Sequence, residues 1–324
     1  MNKALKNILF IIPSQVHLLD VNGPAHIFYE AKEFGAAINL HFVSMDENKE
    51  VHSSAGLIFS KLIPFHQFEL DKNDFVFVPG LDYRLISDEK FIEEQQGFSK
   101  WLKKQYANGA NICSVCTGAF LLAEAEILNG KNCTTHWKYL SKLSQKYPEV
   151  VIKKNRLFVV QDNLYSSAGV SSGIDLALYI IEEQFGTKMS TEVAREVVIY
   201  LRRTESDPQL SIFLQYRNHL NSRIHQAQDY LTKHLSNPIN INQLAEQVNM
   251  SERNLSRLFK KTTGITIGTY HEKLRIDKAL HLFSEGHKVE FVTHQCGLKS
   301  SNQLRALLKK HQGLLPSNII SEKD

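Results

Sequence analysis

Residues Ile241 to Gly264 have the sequence INQLAEQVNMSERNLSRLFKKTTG, which predicts two short helices joined by a tight turn. Apolar residues recur at helical spacing in the first part and stop at Asn249. Ser251 is a residue type that favours an N-cap, and Gly264 is one that favours a helix C-terminus. The pattern therefore predicts a helix-turn-helix over about 241–264, an arrangement that can place its second helix in the major groove of DNA.

The predicted second helix has an apolar face and a polar face. Leu255 and Phe259 lie on the face that would pack inward. The candidate DNA-contacting residues of this helix are Arg253, Asn254, Ser256, Arg257 and Lys260. An arginine that pairs bidentately with guanine contributes about 1–3 kcal/mol of discrimination. The alternative is a basic surface helix that is simply solvated.

A looser copy of this pattern lies at about 289–313, with a predicted turn at Gly297. Either Ser300 or Ser301 can cap its second helix. The predicted outward face of that helix carries Ser301, Asn302, Gln303 and Arg305. An amphipathic stretch from Gly268 to Glu285 separates the two units and is suited to be a rigid helical spacer. Two such units on one spacer would contact segments of the major groove that lie about one turn of the DNA helix apart.

The region from about Ile224 to Ile320 resembles the AraC/XylS type of DNA-binding domain. The resemblance rests on Leu244-Ala245, on the run from Ser251 through Arg253, Arg257 and Phe259 to Lys260, and on Cys296-Gly297. It implies that the residues facing the bases are Arg253, Ser256 and Arg257 in the first unit, and Ser301, Asn302, Gln303 and Arg305 in the second. The second unit departs from the family pattern at Leu298, Ala306 and Gln312. We therefore predict that the first unit makes most base contacts and that the second mainly contacts phosphates.

Charge is concentrated in the same region. Residues 221–324 contain 15 Lys and Arg against 9 Asp and Glu, a net charge of +6, whereas the remainder contains 23 against 25, a net charge of −2. A basic surface attracts the phosphate backbone and makes binding depend on salt. With 324 residues, 43% of them hydrophobic, the chain is typical of a protein of about two domains.

The N-terminal two thirds alternate short apolar runs with longer helical patterns. The predicted strands are Ile8–Ile12, Leu40–Val43, Phe75–Val78 and Ile112–Val115, and the helices include Pro24–Phe34 and Phe91–Tyr106. Residues 156–160 and 163–166 are typical of a small hairpin. This order predicts a flavodoxin-like α/β domain, a parallel sheet sandwiched by helices, followed by an all-α domain. The predicted divisions are 1–203, a connecting segment 204–223, and 224–324.

The stretch from Asn111 to Phe120 predicts a strand that ends at a sharp elbow and is followed at once by a helix. Cys116 would lie at this elbow, where helix N-terminal N–H groups favour a thiolate. The alternative is a small buried cysteine that only packs the turn. A redox pair with Cys113 is disfavoured, because residues three apart on a strand point to opposite faces. The four cysteines are expected to be free thiols.

Residues from about Lys6 to Arg203 resemble the DJ-1/PfpI superfamily, in particular the branch fused to AraC-type domains (GlxA-type regulators). The motifs that carry the resemblance are Leu19-Asp20-x-x-Gly23-Pro24, Val78-Pro79-Gly80, Val115-Cys116-Thr117-Gly118-Ala119, Thr134-Thr135-His136-Trp137, and Ser167-Ala168-Gly169-Val170 leading to Asp175. The resemblance implies that Cys116 is the reactive cysteine and that the Asp20 carboxylate lies near its sulfur. Thr117, Gly80 and His136 complete the candidate pocket. A hydrogen-bonded structural role is the alternative for His136.

Three positions depart from the superfamily pattern. Thr117 stands where hydrolytic members have a histidine, so a local general base is missing. Cys-Thr elbows with an aspartate partner occur in isocyanide hydratases of the superfamily, which keeps hydration chemistry open. Leu81 replaces a second glycine, and Glu126 replaces a glycine after the elbow helix.

Three functional hypotheses follow. The first is a sequence-specific transcription regulator that binds double-stranded DNA and senses a small-molecule effector or redox state near Cys116. The second is a hydratase- or amidase-like enzyme that uses Cys116 and Asp20, and the third is an interaction scaffold. The superfamily resemblance implies a homodimer. No cofactor, metal or membrane association is expected, and a cytoplasmic location is predicted because the chain has no convincing signal peptide and no apolar run long enough to span a membrane.

Overall fold

A computed structural model describes residues 5–154, 156–199, 203, 209, 215–217, 219–284 and 286–312. The chain divides into two compact units, Met1–Glu205 and Ser206–Asp324, hereafter unit 1 and unit 2. Most of the predicted connecting segment 204–223, and position 313 of the second helix-turn-helix, lie outside the described residues. In the described part of the chain, no helix is both long enough and apolar enough to cross a membrane.

Unit 1 is built on a seven-stranded sheet. Its strands and those of two small two-stranded sheets are β1 Lys6–Ile12, β2 Ile38–Ser44, β3 Glu50–His52, β4 Ile58–Ser60, β5 Ile63–Pro64, β6 Phe75–Val78, β7 Asn111–Val115, β8 Asn132–Cys133, β9 Val151–Ile152, β10 Phe158–Gln161 and β11 Leu164–Ser167. The order in the large sheet is β10-β11-β7-β6-β1-β2-β5. All neighbours pair in parallel except the hairpin β10–β11.

Helices cover both faces of this sheet. They are α1 Leu18–Glu33, α2 Tyr83–Ile86, α3 Glu89–Glu94, α4 Gln96–Ala107, α5 Gly118–Glu124, α6 Leu140–Lys146, α7 Ser172–Phe185 and α8 Thr187–Glu196. Strand β1 alternates between two cores: Phe10 packs with α1, α7 and α8, and Leu9 packs with α4 and α5. The predicted sandwich is confirmed, and it brings the carboxyl ends of β1, β6 and β7 to one edge.

Two predicted helices in unit 1 differ from the structure. Helix α1 begins at Leu18, so Pro24 lies inside the helix instead of at its start. The predicted helix from Phe91 to Tyr106 is two helices, α3 and α4, which meet at Gln95. Tertiary packing sets both of these helix boundaries, and local sequence patterns locate such boundaries only approximately.

Unit 2 is helical. Its helices are α9 Ser222–Lys233, α10 Ile241–Gln247, α11 Glu252–Thr263, α12 Ile267–Ser284, α13 Val289–Gln295 and α14 Ser301–Gln312. The first half of α12 packs into one core with α9–α11, and its second half packs into another with α13 and α14. The spacer helix is therefore shared by the two helix-turn-helix pairs. Helix α9 begins at Ser222, where the Asn221 side chain accepts a hydrogen bond from the Ile224 N–H.

Candidate functional sites

Helix α11 presents the first candidate DNA-contacting face. Leu255 and Phe259 are fully buried in the unit 2 core. The side chains on the other face, namely Arg253, Asn254, Ser256, Arg257 and Lys260, are exposed. The turn before this helix places Asn249 at φ 52°, and Gly264 ends it in the left-handed conformation. Within the described residues neither Arg253 nor Arg257 forms an ion pair, so both guanidinium groups can reach a partner outside the chain.

Helix α14 presents the second candidate face. Asn302, Gln303 and Arg305 are exposed, and Ser301 is half-buried. Ser300 supplies the cap, because its Oγ accepts a hydrogen bond of 3.3 Å from the Gln303 N–H. The Gln303 side-chain oxygen accepts in turn from the Lys299 N–H at 3.0 Å.

Arg305 is also engaged within α14, since its Nη1 donates to Asn302 Oδ1 at 3.1 Å. The side chains of Asn302, Gln303 and Arg305 therefore already have partners within α14 or just before it, unlike the two arginines of α11. That the first helix-turn-helix makes most of the base contacts stays a prediction, and this difference between α11 and α14 favours it.

Cys116 lies at the elbow between β7 and α5 with φ 58°, which is rare for a residue that is not glycine. Its N–H donates to the Ser167 carbonyl at 3.0 Å, and its carbonyl accepts from Thr135 Oγ1 at 2.7 Å. These bonds to neighbouring segments hold the strained backbone in place. The sulfur is directed into unit 1, and Cys116 is only 3% exposed.

The prediction that Cys116 is a thiolate is wrong. Burial raises the pKa of the Cys116 thiol well above its usual value, and the charge of Asp20 raises it further. The Thr117 backbone N–H lowers this pKa, as a helix N-terminus should, but its effect is smaller. The cysteine is therefore held as a neutral thiol.

Cys113 and Cys116 do not lie on opposite faces of the sheet, as strand alternation had predicted. Both pack into the same core, because Cys116 lies beyond the last strand residue and no longer follows strand alternation. All four cysteines are nevertheless free and buried, as predicted.

Asp20 lies beside the Cys116 sulfur, as the resemblance implied. It is 1% exposed, and its Oδ1 accepts a hydrogen bond of 2.7 Å from the Val170 N–H. Its Oδ2 lies 3.6 Å from His17 Nδ1. A Cβ at Gly80 would lie 2.4 Å from this Oδ2 and 2.9 Å from the Cys116 Cβ, so only glycine fits there. His17 was missed in the sequence, although its position one turn before Asp20 was a signal.

Thr117 fastens the loop after β6 to the elbow. Its hydroxyl donates to the Leu81 carbonyl at 2.9 Å and accepts from the Leu81 N–H at 3.0 Å. Both residues are completely buried. The Thr117 hydroxyl is therefore a structural clamp, and the Leu81 N–H is unavailable to a ligand.

Replacing Thr117 with valine, which has the same shape, should lower the free energy of unfolding of unit 1 by about 1–2 kcal/mol, because the buried Leu81 N–H and carbonyl would lose their partner. Both tryptophans of the chain, Trp101 and Trp137, lie in unit 1, so urea unfolding followed by tryptophan fluorescence measures this unit. Thr117→Ser keeps the hydroxyl and should recover most of the loss. Equal stability of Thr117→Val and the unsubstituted protein would contradict the clamp.

His136 is half-buried and precedes the 3₁₀ turn Trp137–Tyr139. Its Nδ1 accepts a hydrogen bond of 3.4 Å from the Lys138 N–H, which matches the structural alternative. Burial lowers the pKa of His136, while the charge of Asp20 raises it. The ring is thus close enough to Asp20 for the carboxylate to influence its pKa.

The fold and the sites define a two-unit protein: an α/β domain with a buried cysteine at a strand-to-helix elbow, and a helical unit with two helix-turn-helix pairs. Residues 6–183 match the DJ-1/PfpI family, and residues 244–321 match a helix-turn-helix domain. The first match spans more than half of the chain, so the protein belongs to the DJ-1/PfpI family and carries a helix-turn-helix domain after it.

The chain is similar to a transcriptional regulator, to a hydratase and to a solved structure of the DJ-1 fold. The HTH-type transcriptional regulator GbdR of Pseudomonas aeruginosa is 29% identical over 218 residues, which cover 67% of this chain and 59% of GbdR. Isonitrile hydratase of Pseudomonas putida is 33% identical over 181 residues, which cover 55% of this chain and 71% of the hydratase. The crystal structure of Drosophila melanogaster DJ-1beta aligns at a TM-score of 0.51 and 19% identity, covering 61% of this chain and 100% of that protein. The last likeness concerns the fold alone.

Proposed function

We propose that the protein is a sequence-specific transcription regulator that binds double-stranded DNA through unit 2 and senses a small molecule or redox state in unit 1. The observation that carries this proposal is the exposed face of α11, where Arg253 and Arg257 have no acidic partner among the described residues. The likeness to GbdR supports it, although the chain spans only about three fifths of that regulator. Four free buried cysteines are compatible with a reducing compartment such as the cytoplasm.

Selection of bound sequences from a random DNA pool tests the proposal. We expect one enriched site, with an affinity at least ~1,000-fold above that for unrelated duplex at the same salt concentration. The logarithm of the affinity should fall linearly with the logarithm of salt concentration, because phosphate contacts release counterions. Failure to enrich any sequence would contradict sequence-specific regulation.

The sensing role is assigned to the pocket around Cys116. A buried carboxylate, that of Asp20, lies beside the buried Cys116 thiol, whereas a cysteine that only packs a turn would have apolar neighbours. A compound that binds this pocket should raise the unfolding temperature of unit 1. The shift should disappear in Cys116→Ser and remain in Cys113→Ser, which changes the buried thiol within β7. A shift that survives Cys116→Ser would place the ligand elsewhere.

We infer that the regulator is a homodimer formed through unit 1. An apolar groove of about 690 Å³ lies between α1, β2 and the segment after α8. Three large side chains that line it, Leu19, Tyr29 and Phe42, are 46%, 45% and 39% exposed. Exposed apolar surface of this kind is typical of an interface, and a two-fold axis would pair the patch with its own copy.

A charge placed in this patch should separate the protomers. We expect Tyr29→Glu to shift the molar mass measured by light scattering from dimer to monomer at micromolar concentration. Phe34 is similarly exposed at the end of the same helix but does not line the groove, so Phe34→Glu should remain dimeric. A dimeric Tyr29→Glu protein would remove this face from the interface.

A second candidate function is hydration of an isonitrile. The likeness to isonitrile hydratase and the contact between Asp20 and Cys116 favour it. Turnover of a simple alkyl isonitrile that is lost in Cys116→Ser, without loss of DNA binding, would support an enzymatic unit 1. Absence of turnover across a panel of isonitriles, α-oxoaldehydes and amides would exclude it.

A further inference from the structure

Three donor atoms of different chemical type meet at the elbow. An imidazole nitrogen of His17, a carboxylate oxygen of Asp20 and the Cys116 sulfur all lie within 4.8 Å of one another. His17 and Asp20 lie at the start of α1, whereas Cys116 follows β7, so the sheet brings them together from distant parts of the chain. A set of nitrogen, oxygen and sulfur donors is a typical set of ligands for a transition metal.

The Asp20 carboxylate leaves one oxygen open toward this cluster. Its Oδ1 is fixed by the Val170 N–H, which orients the group. Its Oδ2 is fully buried, and no N–H or O–H group of the described residues donates a hydrogen bond to it. A buried carboxylate oxygen without a donor is costly unless a cation or a hydrogen bond compensates it. Oδ2 is therefore a candidate ligand whose neighbouring donor is the Cys116 thiol, and a cation bound there would replace the hydrogen bond between that thiol and the carboxylate.

Two glycines keep side chains away from these donors. A Cβ at Gly80 would come within 2.4 Å of Asp20 Oδ2, and one at Gly169 within 2.8 Å of Cys116 Sγ. Every other residue type would place its first side-chain atom against a donor. The glycines thus preserve the approach of sulfur and oxygen to one another.

The donor set selects among divalent cations. Ca²⁺ and Mg²⁺ prefer oxygen ligands, whereas Zn²⁺ accepts nitrogen, oxygen and sulfur at about 2.0–2.3 Å in a tetrahedral arrangement. Tetrahedral ligands at those lengths are about 3.3–3.8 Å apart. The distance of 3.6 Å between His17 Nδ1 and Asp20 Oδ2 lies within this range. The His17 side chain is 38% exposed, so it can adjust and the site is open to solvent on that side.

We propose that His17, Asp20 and Cys116 form a Zn²⁺-binding site whose fourth position is open to water or to an effector. Binding would release the Cys116 thiol proton to solvent, because the thiolate is the form that coordinates zinc. Such a site would make the chain a metal-binding protein, contrary to the expectation from the sequence. A regulatory role for Zn²⁺ binding rests on the proposed function, whereas the binding site itself does not.

Cobalt titration of the full chain, stripped of metal and kept reduced, tests the site. We expect one equivalent of Co²⁺ to produce a thiolate-to-cobalt charge-transfer band, and Zn²⁺ to displace it. The band should vanish in Cys116→Ser, and the affinity should fall at least about tenfold in His17→Gln. Cys113→Ser and His26→Gln are matched controls that should retain it, because neither residue belongs to the cluster.

Absence of the band in the unsubstituted protein overturns the site, and so does a band that persists in Cys116→Ser. Since His17 is partly exposed, His17→Gln should keep the fold, which far-UV circular dichroism can verify. As the signal, Zn²⁺ should change DNA affinity in the unsubstituted protein but not in His17→Gln. An unchanged affinity overturns the signalling role alone. A cobalt band in a protein that selects no DNA sequence would instead contradict the proposed function and leave the metal site standing.

Discussion

Replacing Arg253 and Arg257 together with alanine should lower the affinity for the selected DNA site at least about 30-fold, a loss of about 2–6 kcal/mol from two contacts of about 1–3 kcal/mol each. Both side chains are exposed on α11, and neither forms an ion pair among the described residues. Their removal therefore disturbs no contact of that kind within the described chain. Fluorescence anisotropy at fixed salt, with specific and unrelated duplexes, measures the change.

The matched control is Arg223→Ala with Lys233→Ala, which removes two exposed positive charges from α9. We expect it to weaken specific and unrelated DNA alike by a much smaller factor, because it alters only the general attraction to phosphates. Arg305→Ala in α14 should fall between the two variants. An equal loss on specific and unrelated duplex after substitution of Arg253 and Arg257 would show that these arginines contact phosphates and not bases.

Replacing Gly169 with alanine should lower the free energy of unfolding of unit 1 by about 2–6 kcal/mol, the sum of an unfavourable backbone conformation and an overpacked contact. Gly169 has φ 91°, and its added Cβ would lie 2.2 Å from the Cys116 Cβ. Since neither backbone can retreat without breaking its hydrogen bonds, the elbow must distort. Urea unfolding followed by tryptophan fluorescence measures the loss.

Gly35→Ala separates the two causes. Gly35 has the same φ of 91°, and nothing lies within 4 Å of where its Cβ would be, so this variant reports the backbone cost alone. The double variant Gly169→Ala, Cys116→Gly should relieve the overlap only in part, because the Cys116 Cα would still lie 2.7 Å from the added Cβ. It should nevertheless be less destabilised than the two separate changes together. Equal losses in Gly169→Ala and Gly35→Ala would show that the contact with Cys116 is unimportant.

Local sequence was sufficient for much of the fold. The helix-turn-helix pairs were predictable because their caps and turns, such as Asn249 and Gly264, act within a few residues. The parallel sheet was predictable because the central strands β1 and β6 contain continuous apolar runs. Boundaries that depend on packing were not, as the early start of α1 and the break at Gln95 show.

The candidate pocket was predicted in part. Cys116, Asp20 and Gly80 were found through the family resemblance, and the structure places them in contact. Thr117 was placed correctly next to the elbow, but its clamp on Leu81 could not be foreseen, because it joins residues 36 positions apart in the chain. The same limit hid His17, whose distance from Cys116 depends on how β1 and β7 are arranged in the sheet.

The amino-acid sequence alone established an α/β domain followed by two helix-turn-helix pairs, because periodicity, capping residues and glycine positions act locally. It also determined which face of α11 carries the arginines. The chemical state of Cys116 followed only from the folded chain, since burial and the Asp20 carboxylate both raise the pKa of its thiol and outweigh the effect of the helix N-terminus. Ionisation depends on every charge and dipole within a few ångströms, and these come from segments that the chain order does not place side by side.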